Sequence, residues 1–162
     1  GIFTANANGV STSRDVSSGN TTTAITADGL MNAYYSLRLP YRRNGAWLFH
    51  RDAIKSIRTL KFSIGSDNVG YVWEPSLKAG EPDMILGRPV YESEYAPNTF
   101  TTGLYVGMFA DFSYYWVADG SSLVVQRLSE LYAETNQVGL IVRRHVDGRP
   151  VLAEAFARVK LA

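Results

Sequence analysis

The first residues to weigh for chemistry are two histidines and a few paired carboxylates, because the chain contains no cysteine. Without it there is no thiolate nucleophile, no disulfide and no cysteine-ligated zinc. His50 ends the apolar run Ala46-Trp47-Leu48-Phe49, where a hydrogen-bonded structural histidine is expected rather than a general base. His145 follows Arg143 and Arg144, a setting that repels a metal cation. Glu92 and Glu94 are two apart in an extended stretch and share a face; Glu130 and Glu134, four apart, could share a helical face. Neither pair is embedded in apolar sequence that would raise a carboxyl pKa for acid–base work, so solvated or ion-paired side chains are expected. Asp111 lies among Phe109, Phe112 and Tyr114, and a carboxylate buried there must be hydrogen-bonded. No G-x-S-x-G, phosphate-binding loop, G-x-G-x-x-G or H-E-x-x-H occurs. The chain is therefore read as having no catalytic, cofactor-binding or metal site, and a hydrolase is the least supported class.

Charge is segregated along the sequence. Arg38, Arg42, Arg43, Arg51, Lys55, Arg58 and Lys61 face a single acid, Asp52, between positions 38 and 61. Glu74, Glu81, Asp83, Glu92 and Glu94 outnumber Lys78 and Arg88 between 74 and 94. Solvated surface is one account. Another is that two opposed patches meet on neighbouring copies in a head-to-tail contact, with Arg38, Arg42, Arg43 and Arg51 on one side and Glu81, Asp83, Glu92 and Glu94 on the other. A nucleic-acid patch is a third, but the basic run lacks interleaved stacking aromatics.

The elements that carry these residues read as α+β. Positions 6–23 hold almost no large apolar side chains and read as a polar loop or edge hairpin. Asn20-Thr21-Thr22 forms a glycosylation triplet, but nothing indicates secretion. Thr26 is a candidate N-cap with Asp28 in the first turn, and Leu30, Ala33, Tyr34 and Leu37 give one apolar helical face ended by Pro40. Arg42 to Gly45 reads as a turn, Ala46 to Phe49 as a buried strand, and 52–60 as a second helix with Ile54, Ile57 and Leu60 inward. Positions 63–70 read as loop, 71–73 as strand, 74–84 as loop and 85–92 as extended chain. Residues 107–117 and 123–125 read as strands about an Asp119-Gly120 turn, and 138–146 as another before a second turn at Asp147-Gly148; 155–161 closes the series.

At 162 residues and 46% hydrophobic content the chain can bury one core. Its formal net charge of +1 supplies no global field toward nucleic acid or membrane. No apolar run is long enough for a membrane span and no stretch reads as a signal peptide, so membrane insertion is not expected. The 12% aromatic content suits surfaces buried against a partner as well as a core. Residue physics alone stops at an α+β domain that could oligomerise, or that could use exposed aromatics as a small-ligand or carbohydrate-binding module.

Ordered stretches then add a resemblance. Leu30-Met31-Asn32-Ala33-Tyr34-Tyr35-Ser36-Leu37 followed by Pro40-Tyr41-Arg42-Arg43-Asn44-Gly45-Ala46-Trp47-Leu48, the helix Ile54 to Lys61, Tyr71-Val72-Trp73-Glu74-Pro75, Gly80-Glu81-Pro82, Leu86-Gly87-Arg88-Pro89-Val90 and Gly107-Met108-Phe109-Ala110-Asp111-Phe112-Ser113 resemble, in order, the C-terminal portion of HK97-fold tailed-phage major capsid proteins. The resemblance implies a structural, non-enzymatic subunit of a virion shell, made in the host cytoplasm. Such a subunit forms pentamers and hexamers with copies of itself, uses no cofactor or membrane, and faces packaged DNA non-specifically. An encapsulin-like compartment shell is the alternative on the same fold.

The same resemblance implies a polar loop or hairpin at 1–23, an axial domain at 24–130 and returning peripheral-domain strands at 131–162. Trp47 and Trp73 would anchor the axial core, Gly87 and Pro89 shape a bend, and Asp111 tie down a strand. The family's N-terminal arm, extended loop and spine helix have no counterpart here, so the chain reads as a piece that folds but assembles poorly, as a monomer or small ring. Some members join subunits through Lys–Asn isopeptide bonds. Asn136 lies in the comparable strand, yet Arg143 stands where the assisting Glu would be, so no cross-linking is expected.

Overall fold

A computed structural model describes residues 1–3, 9–64, 67–71, 83–120, 123–128, 131 and 133–162. Its framework is a mixed six-stranded sheet with helices against one face, which makes the fold α+β.

The chain begins with β1 (Asp15–Val16), then α1 (Ala27–Ser36). Thr26 caps α1 by accepting from the Gly29 N–H through its side chain, with Asp28 in the first turn; both favour a helix start at that point. A short α2 (Leu39–Arg42) follows, with Pro40 inside its first turn. Proline has no N–H to lose there, so it opens this second helix as well as ending the first. β2 (Ala46–Phe49), α3 (Arg51–Arg58), β3 (Lys61–Ile64) and β4 (Asp67–Tyr71) come next, the last two paired as an antiparallel hairpin where a loop was expected. β5 (Met84–Ile85) and β6 (Arg88–Glu92) form a second hairpin.

β7 (Tyr105–Ala110) is buried along almost its whole length. The apolar run expected as one strand from 107 to 117 is broken at Asp111, whose side chain accepts from the Ser113 N–H and caps a single 3-10 turn. β8 (Tyr115–Asp119) and β9 (Val124–Leu128) then leave the sheet, β10 (Gly139–Arg143) and β11 (Val146–Pro150) return, and β12 (Phe156–Lys160) re-enters it.

The sheet order is β1-β12-β7-β2-β6-β5, with β1–β12 and β2–β6 parallel and the other pairs antiparallel. One face carries Trp47, Phe49, Phe109, Ala157 and Val159 against Leu30 and Ala33 of α1, Leu37 just past its end, and Ile54 and Ile57 of α3. The other face buries Met108, Ala110 and Phe156 against Val10, Tyr41 and Leu48. Central strands covered on both faces read as near-continuous apolar runs, which is why β7 lacks alternation. The pairing register slips between Val159 and Lys160, so Val106 is the extra residue of a bulge and can face the helices although Met108 faces away.

Two expectations need correction in detail. The N-terminal stretch is laced into the fold: Val10 is fully buried, Val16 pairs with Val159, and Asn20 donates to the Lys160 carbonyl while accepting from the Thr26 N–H. Local polarity hid this, because the lacing uses side-chain amides and one valine rather than an apolar stripe. Asn20 is also buried, which removes it as a glycosylation acceptor. Asp147-Gly148 is no turn but the middle of β11, opposite Ala118 and Val117. A Cβ at Gly148 would lie 2.7 Å from the Tyr115 hydroxyl, so this glycine serves close approach.

Candidate functional site

Some of the charges that are separate in sequence meet within one chain. Arg51 Nε lies 3.6 Å from Glu94, and the buried His50 places Nε2 3.1 Å from the other oxygen of the same carboxylate. His50 Nδ1 accepts from the Asp52 N–H and caps α3, leaving Nε2 to face the Glu94 carboxylate. Arg58 pairs with Asp83, and Arg38 lies 3.4 Å from Glu154. Arg42 stacks over the rings of Tyr34 and Tyr35, at 5.1 and 5.0 Å. Arg43 is exposed, and its carbonyl accepts from the Arg88 guanidinium. Glu92 is exposed at the end of β6. Glu81 and Trp73 lie outside the described residues. Exposed pairs of this kind contribute about 0–1 kcal/mol each.

The remaining singled-out residues shape the sheet. Trp47 is fully buried, packs on Phe49 and Phe109, and donates from Nε1 to the Ile85 carbonyl at 3.0 Å, pinning β5 to β2. Leu86 and Gly87, with φ of 52° and 72°, make the two-residue turn between β5 and β6. Two successive positive φ angles match the twist a tight hairpin needs. Pro89 pairs with Met84 just after that turn. Asp111 is buried and takes the Ser113 backbone N–H and hydroxyl on one oxygen.

One buried ionic cluster went unforeseen. Arg158 is fully buried and donates from Nε to Asp15 at 2.7 Å, while Tyr105 donates its hydroxyl to the other Asp15 oxygen at 2.9 Å. The guanidinium lies over the Tyr105 ring at 4.4 Å. Burial, and then the hydrogen bond to Asp15, push the Tyr105 phenol above its ordinary value. The available signal was parity: Arg158 stands two residues after Phe156 on the same face of β12.

β8 with β11, and β9 with β10, form two antiparallel ladders along one ribbon that leaves the six-stranded sheet and returns to it. The ribbon exposes Trp116, Val117, Val125, Leu140 and Val142, with Leu140 68% accessible. Elsewhere a groove of about 130 Å³ opens between α1, α3 and β5. Among the described residues no group of His, Asp and Glu could hold a metal ion, and no helix is long and apolar enough to cross a membrane.

Comparison with known proteins fits this architecture. The structure is similar to the capsid of an empty GTA particle computed with C5 symmetry (TM-score 0.73, 26% identity, 91% of this chain and 49% of that one). It is similar to the capsid of a native GTA particle to the same extent (TM-score 0.74, 25% identity, 91% and 49%). A chain of Gordonia phage Cozz shares the fold at 14% identity (TM-score 0.60, 91% and 49%). The chain thus spans about half the length of these solved relatives, and no curated protein matches it. The phage capsid family model matches residues 1–161. With the family model covering nearly the whole sequence and the fold shared with solved capsids, this chain belongs to the phage capsid family.

Proposed function

We propose that this chain is the structural, non-catalytic subunit of a phage-type icosahedral shell, assembling with copies of itself into pentamers and hexamers around a genome. The observation that carries the reading is the ribbon of strands β8 to β11, which displays valines, leucines and a tryptophan on two-stranded ladders with both faces accessible. A two-stranded ribbon is marginal alone in water, and exposed large apolar side chains gathered on such an element suit a surface that a partner covers. Family membership and likeness to GTA capsids support the same role. Location in the virion follows from it, with synthesis in the host cytoplasm and non-specific DNA contact as parts of the same proposal.

The sheet topology supports a particular division of labour. The six-stranded sheet with α1, α2 and α3 corresponds to the axial domain, including β1 and β12. The ribbon then corresponds to the peripheral domain. On this reading the boundary would lie near Asp111 and again near Leu152, where the chain leaves and rejoins the sheet, as an alternative to a single point near 130.

The test is direct. Expression of the complete gene product should yield closed shells of uniform diameter with five-fold vertices by electron microscopy. A product that stays monomeric at high concentration, with its native fold intact, would sink the reading.

A further inference from the structure

The two ends of strand β6 differ in shape and in charge. At its start is the groove of about 130 Å³. Its floor is Leu30, Ile57 and Ile85, all buried, and its rim is Met31, Met84 and Leu86, each close to half exposed. Two of the chain's three methionines therefore edge one groove, and methionine adapts its shape to an incoming side chain. Leu86 holds a φ of 52° in the hairpin turn, where Asn, Asp or Gly would relieve the backbone. An apolar residue kept in a strained, exposed position, contributing little to the core, points to a contact.

At the other end the chain turns through Ser93 to Ala96, with the Ala96 N–H donating to the Ser93 carbonyl at 3.1 Å and the Tyr95 N–H to its hydroxyl at 3.3 Å. This turn presents Tyr95 with 99% of its surface accessible. Strand β6 separates the two features by roughly 15 Å. Charge follows the same division, because α3 begins beside Glu94 and ends beside the groove. Among the described residues the groove end carries Arg58, Lys61 and Arg88 with Asp28 and Asp83, the last paired to Arg58, and the tyrosine end carries Asp52, Glu92 and Glu94 with Arg51.

We propose that Tyr95 of one copy docks into the Met31–Met84–Leu86 groove of the next, with the acidic end of one sheet against the basic end of its neighbour. This inference rests on the shell-subunit reading and specifies one contact within it. A head-to-tail contact needs two unlike surfaces on one molecule, and it closes into a ring when the rotation allows. The fivefold symmetry stated for one GTA capsid is such a closure. A rigid aromatic anchor in an apolar pocket, flanked by complementary charge, is the arrangement that concentrates binding energy and fixes register.

The experiment places p-benzoyl-phenylalanine at position 95 in particles formed by the complete protein, followed by irradiation and peptide mapping. The excited ketone takes a hydrogen from a nearby C–H bond and the two carbon radicals join. The expected product is a covalent bond between two chains at Met31 or Met84. Particles giving no adduct between chains, an adduct elsewhere, or one confined to a single chain would overturn the proposal. If the bulkier residue alone prevents particle formation while Tyr95→Phe assembles normally, a tight seat for the ring is supported. As a second arm, Leu86→Asn should keep or raise the thermal midpoint, since it relieves the turn, yet lower particle yield by about tenfold or more. Unchanged yield overturns the contact. Failure of the unsubstituted protein to form particles would instead remove the shell reading.

Discussion

Arg158 shows how one side chain can tie together distant parts of a fold. Its guanidinium is fully buried, and its carboxylate partner Asp15 is also its register partner across the parallel β1–β12 pair. Removing only one partner leaves the other charge without compensation in a dry site, so Arg158→Ala should destabilise by about 3 kcal/mol or more. The double variant Asp15→Asn with Arg158→Met should cost less than the sum of the single changes. Urea unfolding followed by circular dichroism measures both. Tyr105 adds a pH signature. Its folded pKa lies above its unfolded value, so between the two the native state binds more protons than the unfolded chain. Stability is therefore fully present below about pH 10, the ordinary tyrosine value, and falls as pH rises through the folded pKa. Unfolding curves at several alkaline pH values should show this decline, and Tyr105→Phe should flatten it. Neither feature was legible beforehand: an Arg at an inward-facing strand position reads as surface until its partner, more than a hundred residues away, is known.

At the scale of elements, what was legible is what rests on local signals. Thr26, Asp28 and the Leu30–Ala33–Leu37 spacing specify α1 through capping and one apolar stripe, and the structure has the helix starting there. Ala46 to Phe49 reads as a buried strand because only burial on both sides tolerates such a run. The ribbon was not legible as a unit. Its strands carry the same valines and leucines as core strands, and periodicity cannot say whether an apolar residue is covered by its own chain or by another. Asp147-Gly148 misled for a related reason: the pair is a turn signal by composition, but here the glycine makes room for Tyr115. The ribbon's backbone is held by two short ladders with little packed against either face. Its amides should exchange with solvent orders of magnitude faster than those of β7 and β12 in the free subunit, and become protected in assembled shells. Hydrogen exchange read by mass spectrometry checks this, and equal protection in both states would argue that nothing covers the ribbon.

For the whole molecule, family identity came from ordered motifs between Leu30 and Ser113, whereas the contacts between copies could not be read from charge order. The opposed patches pair partly within the chain, as Arg51 with Glu94 and Arg58 with Asp83 show. Arg42 and Arg43 also differ once folded. Arg42 stacks on two tyrosines of α1, and one of these, Tyr34, packs on Phe109, so charge reversal at Arg42 should weaken the fold itself. Arg43 is exposed, so Arg43→Glu should leave the melting temperature within a degree or two and reduce shell yield if that surface meets a neighbour. Light scattering during assembly, beside calorimetry of the subunit, separates the two effects.

The strand order carries a consequence for how the protein is made. β12 lies between β1 and β7, yet it is synthesised after every other strand of the sheet. While the ribosome makes the whole ribbon, β7 waits with one edge bare and apolar side chains on both faces, and β1 has nothing to pair with. Pairing between such distant segments is slow to form, and unpaired apolar edges attract one another. Under the proposed shell role many copies are made at once, and the interval before β12 emerges would then be when nascent chains are most exposed to each other. Slower synthesis along the ribbon would lengthen that exposure whatever the stability of the finished sheet.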